Sequence, residues 1–118
     1  MTTLLSRAQG AMSGLAAGDA LGRPVEGMSA EMIRKTYGSV SDFVNMTPGG
    51  SDDTEYALLT ASALLKYGLK ITADDFADFW LEKVCSQTAA FAGAGFSEMN
   101  AIANLRKGLR PPQSGQHN

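Results

Sequence analysis

The sequence predicts an all-α protein of about five helices. Three observations predict it. Apolar residues recur at helical spacing in successive stretches. Ser or Thr stands where several of those stretches would start, and Gly stands where they would stop. No stretch alternates apolar and polar residues convincingly enough for a strand, and no internal repeat appears. With 118 residues the chain has room for one domain with a modest core and not for two.

The first helix is expected from about Thr3 to Leu21, with Leu4, Leu5, Ala8, Ala11, Met12, Leu15 and Ala16 as apolar bulk. Gly10, Gly14, Gly18 and Gly22 recur every fourth residue and form one slowly drifting stripe on it. Each costs about 1 kcal/mol relative to alanine inside a helix, so the stripe needs a compensating gain. Close approach of another helix is the favoured explanation, and a ligand resting on bare backbone is the other. The helix should stop near Gly22-Arg23-Pro24, because proline disfavours helical geometry in the residue before it. Asp19 lies among Gly18, Ala20 and Leu21, where a carboxylate needs a partner, and Glu26 follows in a loop.

Ser29 is placed to cap a short helix from about Ala30 to Tyr37, closed by Gly38. Residues 38–51 then read as a long loop anchored by Val40, Phe43, Val44 and Met46. A central helix follows from about Asp52 to Tyr67 and ends at Gly68. Thr72 and Asp75 have capping-box spacing for the next helix, whose Phe76, Phe79, Trp80, Lys83 and Val84 read as a core stripe. Residues 88–95 form a small-residue linker with Phe91. The last helix runs from about Ser97 to Lys107 with Gly108 as its stop, and residues 109–118 read as a loop without a terminating element.

Composition narrows the function. A hydrophobic content of 44% against 19% charged residues describes a folded chain, not a disordered one. A net charge of −2 provides no general basic surface, so nucleic acid is not an expected partner. Cys85 is the single cysteine, which excludes an internal disulfide and a cysteine-based zinc cluster and fits a reducing compartment. His117 is the single histidine, which argues against a histidine dyad or a two-histidine metal site within the chain. No apolar run approaches the roughly 20 residues that span a bilayer. Gln9, Gly10 and Ser13 interrupt the run that a secretory leader would need. The expected location is cytoplasmic, with no membrane partner.

The chemistry concentrates in Gly49-Gly50-Ser51-Asp52-Asp53-Thr54-Glu55. A glycine pair gives a permissive backbone. Five oxygen-bearing side chains then crowd the start of the central helix. One reading is a cap: Ser51 accepts from an orphan N–H, and acids suit the positive end of the helix dipole. The other is one wall of a hard-cation site. Adjacent carboxylates repel each other, and the dipole offsets only about half a charge. Oxygen-only donors favour Mg²⁺, Ca²⁺ or Mn²⁺ over zinc or copper. These donors alone do not complete a six-coordinate shell.

Two segments together resemble a known family. Gly14-Leu15-Ala16-Ala17-Gly18-Asp19-Ala20-Leu21-Gly22-Arg23-Pro24-Val25-Glu26 is followed, after a spacer, by Gly50-Ser51-Asp52-Asp53-Thr54-Glu55 opening a helix. The first resembles the G-D-A-x-G-x-P-x-E pattern of the ADP-ribosylglycohydrolases, and the second resembles their [ST]-D-D-T. Residues 93–112 are similar, less specifically, to the segment leading to that family's phosphate-contacting loop. The resemblance spans nearly the whole chain and corresponds to the N-terminal portion of the family fold.

The resemblance implies an orthogonal multi-helix bundle and a hydrolase acting on the N- or O-glycosidic bond between ADP-ribose and an acceptor. Substrates would be ADP-ribosylated proteins or small ADP-ribose conjugates. The family uses two Mg²⁺ or Mn²⁺ ions. Matched by position, Ser51, Asp52 and Asp53 would be metal ligands, with Ser51 where threonine is commoner. Glu26, Asp52 and Asp53 would be the catalytic carboxylates, and Asp19 a structural acid. The family's remaining ligands lie downstream in an Asp-x-Asp-[ST] motif that this sequence lacks. The expectation is therefore a single incomplete domain carrying half of the site. It would be a fragment of a longer enzyme, half of a split enzyme completed by a C-terminal chain, or an inactive short paralogue. The alternative is a non-catalytic helical module that binds a complementing chain or ADP-ribose.

Overall fold

The computed structural model describes residues 2–45, 47–87 and 95–116. The described residues contain five α-helices and no strand: α1 (Leu4–Gly22), α2 (Ala30–Tyr37), α3 (Asp52–Tyr67), α4 (Ala73–Trp80) and α5 (Phe96–Arg106). The all-α class read from the sequence holds. The chain divides into two compact units, Met1–Ala57 and Leu58–Asn118. The small-residue linker around Phe91, Met46 and His117 lie outside the described residues.

In the N-terminal unit, Thr3 caps α1 by accepting the Ser6 N–H at 3.1 Å. The helix ends at Gly22 and tightens into a 3₁₀ turn over Arg23–Val25, with Pro24 in its first turn, where a missing N–H costs nothing. Gly27 then turns the chain at φ +74°. Ser29 caps α2 through the Met32 N–H at 3.2 Å, and Gly38 stops it at φ +73°, a conformation that favours glycine.

The glycine stripe corrects an expectation. A Cβ at Gly10, Gly14, Gly18 or Gly22 would meet no atom within 4 Å. Close packing of a second helix backbone is therefore not what the stripe serves among the described residues. Gly18 and Gly22 instead line a cleft.

The C-terminal unit holds most of the buried side chains. Ala63 of α3, Ala77 and Phe79 of α4, Val84, and Ile102 and Leu105 of α5 form its core. Tyr67 meets Phe79 edge to face, with ring centroids 6.3 Å apart, a geometry that aromatic quadrupoles favour. Of the predicted stripe, Phe79 and Val84 are core, Phe76 and Trp80 are half-buried, and Lys83 is exposed. Thr72 and Asp75 form the predicted capping box: Thr72 Oγ1 accepts the Asp75 N–H at 3.2 Å, and Asp75 Oδ2 accepts the Thr72 N–H at 2.9 Å. Gly68 leaves α3 at φ +77°, and Gly108 follows α5 at φ +83°.

Two features depart from the sequence reading. Beyond Trp80 the helix changes pitch into a π-helical turn over Leu81–Cys85. The Arg106 guanidinium donates to the carbonyl of Cys85 at its end and to that of Gln87 beyond it, each at 3.0 Å from Nη2. Nor is the segment after Gly108 a free loop. A 3₁₀ turn over Gln113–Gly115 folds back on α5, where buried Asn104 donates from Nδ2 to the Ser114 carbonyl at 3.1 Å. Arg110 ties the same segment to α4 through Asp74 at 3.1 Å and Asp78 at 2.7 Å. No described helix is long and apolar enough to cross a membrane.

Candidate functional site

The site in the N-terminal unit is built where the end of α1 meets the start of α3. The first N–H groups of α3 have no partner inside the helix. Asp19 supplies one from α1. Its Oδ2 accepts the Ser51 N–H at 2.7 Å and the Thr54 N–H at 3.2 Å, and also the Thr54 hydroxyl. Its Oδ1 accepts the Ser51 hydroxyl at 2.6 Å. Ser51 Oγ in turn accepts the Asp53 N–H at 3.3 Å, the contact expected of a capping serine. One turn beyond Asp19, Arg23 donates from Nη1 to the Gly50 carbonyl. The acid and the base together hold the Gly50–Thr54 segment from opposite sides of its backbone polarity.

Asp19 is half-buried, and its carboxyl is held well below the usual range, at about 2. The Ser51 hydroxyl is the main cause, followed by the Thr54 hydroxyl and the Ser51 amide, with burial opposing them. The partner that its apolar sequence setting demanded is thus a pair of residues more than 30 positions away. Gly50 makes room for the arrangement. A Cβ there would lie 2.9 Å from Asp19 Oδ2 and 2.9 Å from Thr54 Oγ1.

Around this junction opens a cleft of about 630 Å³ lined by Asp19, Ser51, Asp53, Arg23 and Glu26, with Leu15 and Val25 as apolar wall and Gly18 and Gly22 as bare backbone. The structure therefore brings Glu26 from the first motif together with Ser51 and Asp53 from the second. Asp52 is half-buried in the first turn of α3 and is not among the residues lining the cleft. Neither the Asp52 nor the Asp53 carboxylate hydrogen-bonds another described residue. Sequence reasoning missed Arg23 and Thr54. Both stood inside the quoted motifs, and the hydroxyl of Thr54 was the available signal.

The donor chemistry fits a hard divalent cation with an open shell. Ser51, Asp53 and Glu26 offer oxygen only, and Mg²⁺ is characteristically bound by one or two carboxylates with water or substrate completing the octahedron. Among the described residues no group of three or more His, Cys, Asp or Glu side chains is gathered so that it could hold a metal ion by itself.

The comparisons with known proteins bear on the family. The family model of the ADP-ribosylglycohydrolases matches residues 1–118. An uncharacterized protein of Archaeoglobus fulgidus is 36% identical over 111 residues, which cover 86% of this chain and 34% of that protein. The chain thus spans about a third of the length of this curated relative. No solved structure matches. With both motifs folded into one cleft and the family model matched from end to end, the chain belongs to the ADP-ribosylglycohydrolase family.

Proposed function

We propose that the cleft is part of the active site of a hydrolase that cleaves the N- or O-glycosidic bond joining ADP-ribose to a protein side chain or a small acceptor. The observation that carries this reading is the meeting of Glu26, Ser51 and Asp53, from two distant motifs, around one cleft. Ser51 and Asp53 in the cleft, joined by Asp52 if its side chain turns toward them, would hold a Mg²⁺ or Mn²⁺ centre, of which the family uses two ions. Bound there, the metal would supply positive charge for the ribose hydroxyls and for an attacking water. Glu26 and Asp53 would accept a proton from that water or face positive charge developing on the sugar. Gly18 and Gly22 let a ligand approach the end of α1 without meeting side chains. This chemistry does not require a histidine.

The test is release of ADP-ribose by the full-length protein from ADP-ribosylated arginine and serine peptides and from small conjugates, with Mg²⁺ or Mn²⁺ present. Release is expected, with Asp53→Asn and Glu26→Gln each lowering kcat on the order of 10²-fold or more at unchanged melting temperature. Binding of ADP-ribose without hydrolysis would reassign the chain to a binding role. Hydrolysis indifferent to both substitutions would remove the cleft from the reaction.

A further inference from the structure

The four bonds to Asp19 are not all of one kind. Those from the Ser51 and Thr54 amides satisfy orphan donors of α3 and are helix capping. The bond from Ser51 Oγ is not, because a hydroxyl is no part of the helix backbone. An ionised carboxylate is acceptor-only, so the hydrogen between Ser51 Oγ and Asp19 Oδ1, 2.6 Å apart, belongs to Ser51. Asp19 is not free to rotate away. Its other oxygen is held by both amides and by the Thr54 hydroxyl. A hydroxyl has one proton and two lone pairs. Here the proton is committed to Asp19, one lone pair meets the Asp53 N–H at 3.3 Å, and the other is unassigned.

We propose that Asp19 is a positioning residue that takes up the Ser51 hydroxyl proton in a hydrogen bond, so that Ser51 Oγ presents a lone pair to a hard divalent cation in the cleft. This rests on the metal reading of the preceding subsection. It assigns Asp19 a role beyond holding α3, because groups behind a metal ligand fix its proton and its orientation. Asparagine at position 19 would reverse the arrangement. The two amides of α3 require an acceptor at the Oδ2 position, which leaves the asparagine NH₂ at the Oδ1 position. That NH₂ would donate to Ser51 Oγ and occupy the lone pair the cation needs.

The experiment titrates Mn²⁺ into the metal-free full-length protein, with free Mn²⁺ read by electron paramagnetic resonance. Wild type is compared with Asp19→Asn, Ser51→Ala, the double variant, Thr54→Val and Asp53→Asn. Asp19→Asn is expected to weaken Mn²⁺ binding about 10–100-fold. The double variant should lose no more than the worse single one. Thr54→Val, which removes a bond to the same carboxylate without touching Ser51, should lose stability and keep its affinity. Wild-type affinity in Asp19→Asn beside a loss in Ser51→Ala overturns the inference and leaves the metal reading intact. So does additivity in the double variant, or an equal loss in Thr54→Val. If wild type binds no Mn²⁺, or Asp53→Asn binds it as wild type does, the metal reading itself fails and takes the inference with it. Should Asp19→Asn not fold, the Ser51 hydroxyl proton of wild type decides by NMR. Protection from exchange that persists when Mg²⁺ is added is expected, and its loss on adding Mg²⁺ overturns the proposal.

Discussion

Adjacent glycines at the entry to α3 should respond oppositely to the same substitution. A Cβ at Gly50 would stand 2.9 Å from Asp19 Oδ2, 2.9 Å from Thr54 Oγ1 and 3.1 Å from Thr54 Cβ. Ordinary contacts begin near 3.4 Å, so Gly50→Ala must push the carboxylate or the threonine aside by about half an ångström. Neither is a loose chain end. The carboxylate accepts four hydrogen bonds, each from Ser51 or Thr54. Bonds to a charged acceptor contribute roughly 1.5–3 kcal/mol each, and a shift of this size weakens them without breaking all four. Water restores part of the loss at a half-exposed site. We therefore expect a gross cost of about 1–3 kcal/mol. Replacing glycine also restricts the unfolded chain, which returns about 0.4–1 kcal/mol. The net destabilisation is about 1–2 kcal/mol, a fall in Tm of roughly 3–8 °C for a chain of this size.

At Gly49 the nearest atom to a Cβ is Arg23 Nη1 at 3.9 Å, an ordinary contact. Gly49→Ala should therefore be neutral or slightly stabilising. The assay is thermal unfolding of both variants, together with amide hydrogen exchange at Ser51 and Thr54. In Gly50→Ala those two amides should lose protection ahead of the rest of α3. A Gly50→Ala protein as stable as wild type, with both amides protected as before, would refute the assignment of Asp19 as the acceptor that holds the start of α3.

In the C-terminal unit, Arg110→Ala removes a guanidinium that meets Asp74 and Asp78 one turn apart on α4. A small loss of stability is expected, with faster proteolysis within residues 109–116 as the check. Asn104→Ala deletes the buried donor to the Ser114 carbonyl and should cost about 1–2 kcal/mol in urea unfolding, with exchange of the Ser114 amide accelerated. Glu82 is held down to about 2, first by Lys66 and then by Lys83. A carboxyl depressed in the folded state gives up protons that the unfolded chain would keep. Its contribution is therefore complete above the ordinary carboxylate range and is lost as pH falls toward 2. Melts of wild type and Glu82→Gln from pH 6 to pH 2 should converge at the acid end, and added salt should shrink the difference because the pair is exposed.

What was legible in the sequence was local. The bounds of α2 and α3 follow from Ser29, Gly38 and Gly68, each of which acts on its own backbone within a turn. Thr72 and Asp75 are three residues apart and needed nothing else to form their box. What was not legible depends on partners far along the chain. The fold-back of residues 109–116 depends on Asn104 and on carboxylates of α4, and no propensity in Pro111-Pro112-Gln113 announces it. The glycine stripe misled for the same reason. Its spacing specifies a face of α1 and says nothing about what that face meets.

The candidate site lies between these cases. Both motifs could be read singly, Gly18-Asp19-Ala20 as the end of a helix and Ser51-Asp52-Asp53-Thr54 as the start of another, and the choice between a cap and a cation wall stayed open. The structure shows that the choice was posed too narrowly. Capping is done largely by Asp19, which accepts two amides of the second motif from outside it. That relieves Ser51 of much of the work a capping serine does for its own helix. It also leaves the Asp52 and Asp53 carboxylates without hydrogen bonds among the described residues, at the one helix end where negative charge is favoured. These two carboxylates suit the positive end of the α3 dipole and carry no capping bond of their own. The remote cap does not compete with the cation reading. It engages the amides of Ser51 and Thr54 and leaves the Asp52 and Asp53 carboxylates out of the capping bonds.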